Sequence, residues 1–153
     1  MTRASTALLI LVGTLFCGCK NVDDPVVNVN ADDKKMNEAM ETARKTFPKF
    51  VANWETMECE SQSVKIAVPT SGGGVEHIWF EPTKITATEV TGVCGNDPRN
   101  VPGLKLGDRK TYELSQVSDW MIMADGKCYG GYTIRVLIEM TPGEAPEMEF
   151  AEL

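Results

Sequence analysis

The sequence predicts an α+β fold: an N-terminal helix packed on a bent, mostly antiparallel sheet of five to six strands, with a small open barrel as one form of that sheet. A single segment with helical apolar spacing comes first. The segments after it are short, β-branched and bounded by Gly, Pro, Asn and Asp. The connections between them are too short for helical crossovers, so neighbouring strands should pair antiparallel.

The helix is the stretch ADDKKMNEAMETARKTFPKF. Asp32 or Asp33 suits its N-cap, because a carboxylate can accept from the free backbone N–H groups of the first turn. Met36, Ala39, Met40, Ala43 and Phe47 fall on one apolar face. That stripe reads as core-facing in preference to a metal or partner groove. Glu41 and Lys45 form an i, i+4 pair on the other side. Pro48 should end or kink the helix, with Phe50, Val51 and Trp54 in a short second piece.

The strands follow in order. In QSVKIAVPT, Val64, Ile66 and Val68 alternate, as in a half-buried strand. Ser71-Gly72-Gly73-Gly74 is a turn; VEHIWFEP and ITATEVTGV are two more strands. GNDPRNVPG is a loop, and Gly107-Asp108 turns the chain into RKTYEL. WMIMADGKCYGGY reads as a hairpin, since Asp125-Gly126 suits a type I′ turn. TIRVLIEM is ambiguous: its β-branched content favours a strand, while Thr133 as a cap and a mixed period allow a helix. The tail TPGEAPEMEFAEL is acidic and proline-containing, and is expected to be loosely ordered.

Upstream, MTR is followed by the uncharged run Ala4 to Phe16, 13 residues long. As a helix it would cover ~20 Å, short of the ~30 Å bilayer core, which fits a secretory signal better than a spanning helix. The run ends Phe16-Cys17-Gly18-Cys19 and resembles the lipobox of bacterial lipoproteins. Phe16 stands for the bulky position, Gly18 for the small residue before the cut and Cys19 for the acylated cysteine; Phe for Leu and Cys17 for Ala or Ser are departures. A plain secretory signal cut nearby is the alternative. The resemblance implies removal of residues 1–18 and lipid on the Cys19 thiol, with multiple chains giving stable anchoring. Residues 19–31 would then be a lipid-anchored tether, 32–140 the α+β domain and 141–153 the acidic tail. The expected location is outside the cytoplasm, lipid-anchored to the cell membrane or outer membrane.

Charge narrows the partners. The 153-residue chain carries net −7, and losing Arg3 with the signal makes it −8. An acidic surface argues against nucleic acid, which needs clustered Lys and Arg. Cys59, Cys94 and Cys128 remain in the domain, an odd number. A Cys94–Cys128 disulfide is expected, both residues lying in strands that flank the loop and the hairpin. Neither a CxxC nor a zinc-like Cys/His spacing is present, and no metal or cofactor is expected.

Residues that could carry chemistry are few. His77 is the single histidine, a general base in principle but more simply a structural one. Nucleophile elbows, HExxH, P-loops and Rossmann glycine patterns are missing. Asn96 and Arg99 in the loop, with Asp119 and Trp120 beside the hairpin, are the candidate ligand- or partner-binding residues. Asp119 would be a carboxylate at a pocket rim with an indole wall, or an acceptor of local backbone N–H groups beside a core tryptophan. Arg99 would take an anion bidentately or pair with a surface acid.

The segments DDKKMNEAMETARKTFPKF, the VK of Val64-Lys65, EHIWF, GVCGNDPRNVPGLKLGD, SDWM and DGKCYGGYT, in that order, resemble the YegJ-like bacterial family, domain of unknown function 2314. The likeness runs from about Asp32 to Ile138; the three domain cysteines stand outside the family pattern. It implies a shared fold and no established activity, so no catalytic residue is assigned. The leading expectation is a non-enzymatic binding or interaction module in the envelope, with an inhibitor or immunity-like protein as its more specific form. The alternatives are an envelope hydrolase using His77 or Asp119 as general base, and a structural envelope protein.

Overall fold

The computed structural model describes residues 33–141 and 147–153. The expected signal, the Cys19 anchor and the tether lie outside the described residues, as does part of the tail. Helix α1 spans Lys34–Asn53, with Asp33 capping it through a 2.9 Å bond from Met36 N. Strands β1 (Ser61–Pro69), β2 (Val75–Ile85), β3 (Glu89–Cys94), β4 (Arg109–Glu113), β5 (Val117–Ala124) and β6 (Lys127–Gly130) follow, then α2 (Tyr132–Met140) and β7 (Glu149–Ala151). The seven strands form one open sheet in the order β4-β3-β2-β1-β5-β6-β7. Every ladder is antiparallel except β6–β7.

The core lies between α1 and one sheet face. Ala43, Phe47 and Phe50 meet Val64, Ile66, Ile78, Phe80, Trp120 and Ile122, all buried. Alternation puts Val64, Ile66 and Val68 on this face and sends Lys65 and Ala67 to the other. Burying aromatics of this size contributes several kcal/mol each; Phe→Ala at such a site costs about 3–5 kcal/mol.

Three local expectations are corrected. First, α1 runs unbroken through Pro48 to Asn53. Proline forfeits one helical hydrogen bond, but Phe47 and Phe50 stack at 5.5 Å and Phe50 meets Trp120 at 5.7 Å. That packing holds the last turn in place. Second, the ambiguous TIRVLIEM segment is helical, forming most of α2. Gly130 and Gly131 both take positive φ (79° and 62°) and swing the chain out of the strand. Third, the acidic tail ends in an ordered strand, β7, parallel to β6.

The expected Cys94–Cys128 disulfide is also not formed: Cys59, Cys94 and Cys128 are all free. β3 and β6 are separated by β2, β1 and β5. Four inter-strand spacings amount to ~19 Å, far beyond the ~7 Å Cα limit for a bridge. The Asp125-Gly126 turn is as expected, both residues having positive φ.

Candidate functional site

On the sheet face opposite α1, β5 carries a bulge. Lys65 pairs with Asp119 but Ile66 pairs with Val117, leaving Ser118 as the extra residue. The bulge turns both Ser118 and Asp119 toward polar partners while Val117 and Trp120 stay in the core. Both polar residues are fully buried, and Lys65 and Thr133 beside them are buried.

Asp119 is saturated with donors. Its Oδ1 accepts from Trp120 N (2.8 Å) and Tyr132 N (3.2 Å). Its Oδ2 accepts from Thr133 N (2.8 Å) and Thr133 Oγ1 (2.6 Å). The carboxylate thus caps the start of α2 from a different strand, because the residue at the cap itself, Gly131, has no side chain to do so. Negative charge there is favoured by the free N–H groups of the first turn.

Lys65 enters the same network. Its Nζ donates to Thr133 Oγ1 at 2.7 Å and lies 4.5 Å from the centre of the Trp79 ring. One threonine hydroxyl therefore accepts from a buried ammonium and donates to a buried carboxylate. Burial pulls the Lys65 pKa down to about 8, opposed by Asp119. Burial pushes Asp119 up, opposed by Lys65 and by the bonds from Thr133 and Trp120. Each ion offsets part of the other's desolvation.

His77, on β2, reaches over the small Ala67 of β1, its direct cross-strand partner. Its Nδ1 lies 2.8 Å from Ser118 Oγ, which also donates to Lys65 O at 3.2 Å. The buried edge of the ring, with Lys65 and then Arg44 nearby, lowers the His77 pKa. Arg44 itself crosses from α1 to donate through Nε to Val117 O at 2.9 Å.

The four candidate binding residues do not come together. Trp120 is 1 % exposed, packs on Phe50 and Tyr132, and donates its indole N–H to Ala43 O at 3.1 Å. Asp119 is 0 % exposed. Neither can form a pocket rim, which corrects that expectation: the carboxylate holds local N–H groups and the indole fills the core. Asn96 lies in the β3–β4 loop and accepts from Trp79 N at 2.7 Å. The same loop is pinned by Glu76, whose two carboxylate oxygens accept from Arg99 N (2.9 Å) and Asn100 N (2.8 Å). Arg99 is left exposed.

The resemblance to the family included Lys65, Ser118 and Thr133 in its motifs, but sequence reasoning assigned Lys65 and Ser118 no role and did not reveal that Thr133 bridges Lys65 and Asp119. A lysine between Val64 and Ile66 was the available signal for Lys65. A surface depression of about 460 Å³ is lined by Thr88, Glu89, Glu113, Leu114 and Ser115 and contains none of these groups. Among the described residues no cluster of His, Cys, Asp and Glu could hold a metal, and no helix is long and apolar enough to cross a membrane.

Fold and site define a class: an α+β sheet module whose buried Lys–Thr–Asp chain ties a second helix to the sheet. The family model described as "Uncharacterized protein conserved in bacteria (DUF2314)" matches residues 33–151, and the chain belongs to that family. It is 30% identical to "Uncharacterized protein YegJ" of Escherichia coli (strain K12) over 95% of this chain and 97% of that one. It is 28% identical to "Putative ankyrin repeat protein NMB1133/NMB1171" of Neisseria meningitidis serogroup B, over 84% of this chain but only 55% of that protein's length. No solved structure matches.

Proposed function

We propose that the protein is a lipid-anchored envelope module, held through Cys19, that binds a partner and does not itself catalyse a reaction. The observation that carries the non-enzymatic part is the state of Asp119. All its acceptor capacity is engaged by Trp120, Tyr132 and Thr133, and it is fully buried, so it has no lone pair free to act as a base. The binding part rests on the Asn96–Arg99 loop. Glu76 and the Trp79 backbone hold that loop in place, so the exposed Arg99 is presented with little ordering cost toward a carboxylate or phosphate of the partner. The acidic composition suits a partner with a basic surface around such a group, which keeps the inhibitor or immunity-like form within this reading.

Two measurements test it. Mass spectrometry of natively purified protein should show Cys19 as the acylated N-terminus; a chain retaining residues 1–18 without lipid removes the anchor. A photo-crosslinking residue at Asp97 should trap one discrete partner in cells, and Arg99→Ala should abolish the product. The same residue at Lys45 on α1 should trap nothing; equal products from both positions reject the loop as the binding surface.

The second reading is an envelope hydrolase with His77 as base, and it is favoured by one contact, His77 Nδ1 to Ser118 Oγ. It requires access to a hydroxyl that is 0 % exposed. A fluorophosphonate probe should leave Ser118 unlabelled; covalent labelling there would favour the hydrolase instead.

A further inference from the structure

The seat of β7 has the features of a peptide-recognition site. Without β7, strand β6 would be a bare sheet edge. The body of the domain supplies three separate receptors for the segment from Glu149 to Leu153. Lys127 Nζ meets Glu149 Oε1 at 2.9 Å. The Arg135 guanidinium lies between two rings, 5.0 Å from the centre of Tyr132 and 4.8 Å from that of Phe150, and reaches Glu152 Oε1 at 3.1 Å. Lys49 Nζ donates to Leu153 O at 2.9 Å. Gly131 leaves room for the aromatic: a Cβ there would stand 3.4 Å from Phe150 Cε1 and 2.9 Å from Cys128 Sγ. Arg135 is itself held by two bonds to Gly130 O, at 3.2 and 3.0 Å, so its fork is oriented by the body and not by the tail.

In a chain with 22 acids and 15 Lys and Arg, two cations, Lys127 and Arg135, converge on the acid–aromatic–small–acid segment Glu149–Glu152, and a third, Lys49, holds the Leu153 carbonyl next to it. These contacts can be exchanged: the ladder is three residues of parallel strand, the ion pairs are open to solvent and the phenylalanine is half-buried. We propose that the β6 edge, with the first turn of α2, is a strand-accepting seat, and that the strand it exchanges for its own tail is the same segment of a second copy of this chain. The segment Glu149-Phe150-Ala151-Glu152 is the sequence whose charges and ring match the receptors point for point. This inference is independent of the Arg99 loop reading. In cis the tail competes at an effective concentration on the order of millimolar, so it guards the seat until copies are crowded or the tail is displaced.

Complementation between two full-length variants tests the proposal. Phe150→Ala with Glu152→Lys disables the tail and keeps the seat. Lys127→Glu with Arg135→Gln disables the seat and keeps the tail. Each alone should sediment as a monomer, and the mixture should form a one-to-one heterodimer. Replacing the tail-disabled partner by the native chain should weaken that complex about tenfold or more, because the native seat is already filled. A mixture that stays monomeric overturns the proposal. Should the seat-disabled chain fail to fold by circular dichroism, a labelled peptide of residues 147–153 titrated into the tail-disabled chain decides. Saturable binding stronger than to the native chain is expected, and no binding overturns it.

Discussion

A carboxylate that receives four hydrogen bonds and shares a threonine hydroxyl with a buried lysine is an anchor for the chain around it. Asp119 ties β5, its own strand, to the first turn of α2, and Thr133 passes the connection on to Lys65 in β1. Removing one partner of such a buried pair leaves the other unpaired, so Asp119→Ala should cost about 3–5 kcal/mol in urea unfolding. A loss under about 1 kcal/mol would deny the residue this role. The ionisations make a second test. Lys65 titrates near 8 in the fold against an ordinary 10.5. Between those values the unfolded chain binds more protons, so the Lys65 contribution to stability rises with pH across that window and is flat below it. Unfolding free energies measured from pH 7.5 upward should show this rise, and Lys65→Met should remove it. His77 is also shifted down from 6.5, so the unfolded chain takes its proton first as pH falls. Acid below about 6.5 should therefore destabilise the native protein more than His77→Gln. At this scale the sequence supplied both readings of Asp119 and Trp120, but nothing local chose between them. The choice depends on which strands and helices cover them.

The elements differ in how far local residues determine them. The apolar stripe and Asp33 cap specify α1, yet Pro48 misleads, because the cost of one lost hydrogen bond is smaller than the burial of Phe47 and Phe50. The segment after Gly131 is the reverse case: its β-branched residues suit a strand, and it becomes α2 because two glycines turn it and a distant aspartate caps it. Gly130 is the residue this depends on. Its φ is +79°, and a Cβ would collide with the Trp120 carbonyl oxygen and ring carbons. Gly130→Ala should therefore lose ~2 kcal/mol or more, visible as a clear drop in Tm, whereas Gly126→Ala, with open space around it, should lose less. Equal losses at the two positions would show that the Trp120 contact is unimportant.

For the molecule as a whole, strand order decides what can meet. The chain places β5 beside β1 and not beside β4, so Cys94 and Cys128 end four strands apart and remain thiols. Alkylation after unfolding without reductant should modify all three of Cys59, Cys94 and Cys128, read peptide by peptide in mass spectrometry; protection of Cys94 and Cys128 together would revive the disulfide. Turn chemistry, two-residue alternation and capping residues are short-range, so they alone determined the helix-then-sheet layout, the face shown by Val64, Ile66 and Val68, and the Asp125-Gly126 hairpin. Strand order, the burial of Lys65 with Asp119, and the docking of the acidic tail on β6 join residues far apart along the chain. Only the folded sheet decided them, because desolvation and cross-strand pairing act between neighbours in space, whatever their separation along the chain.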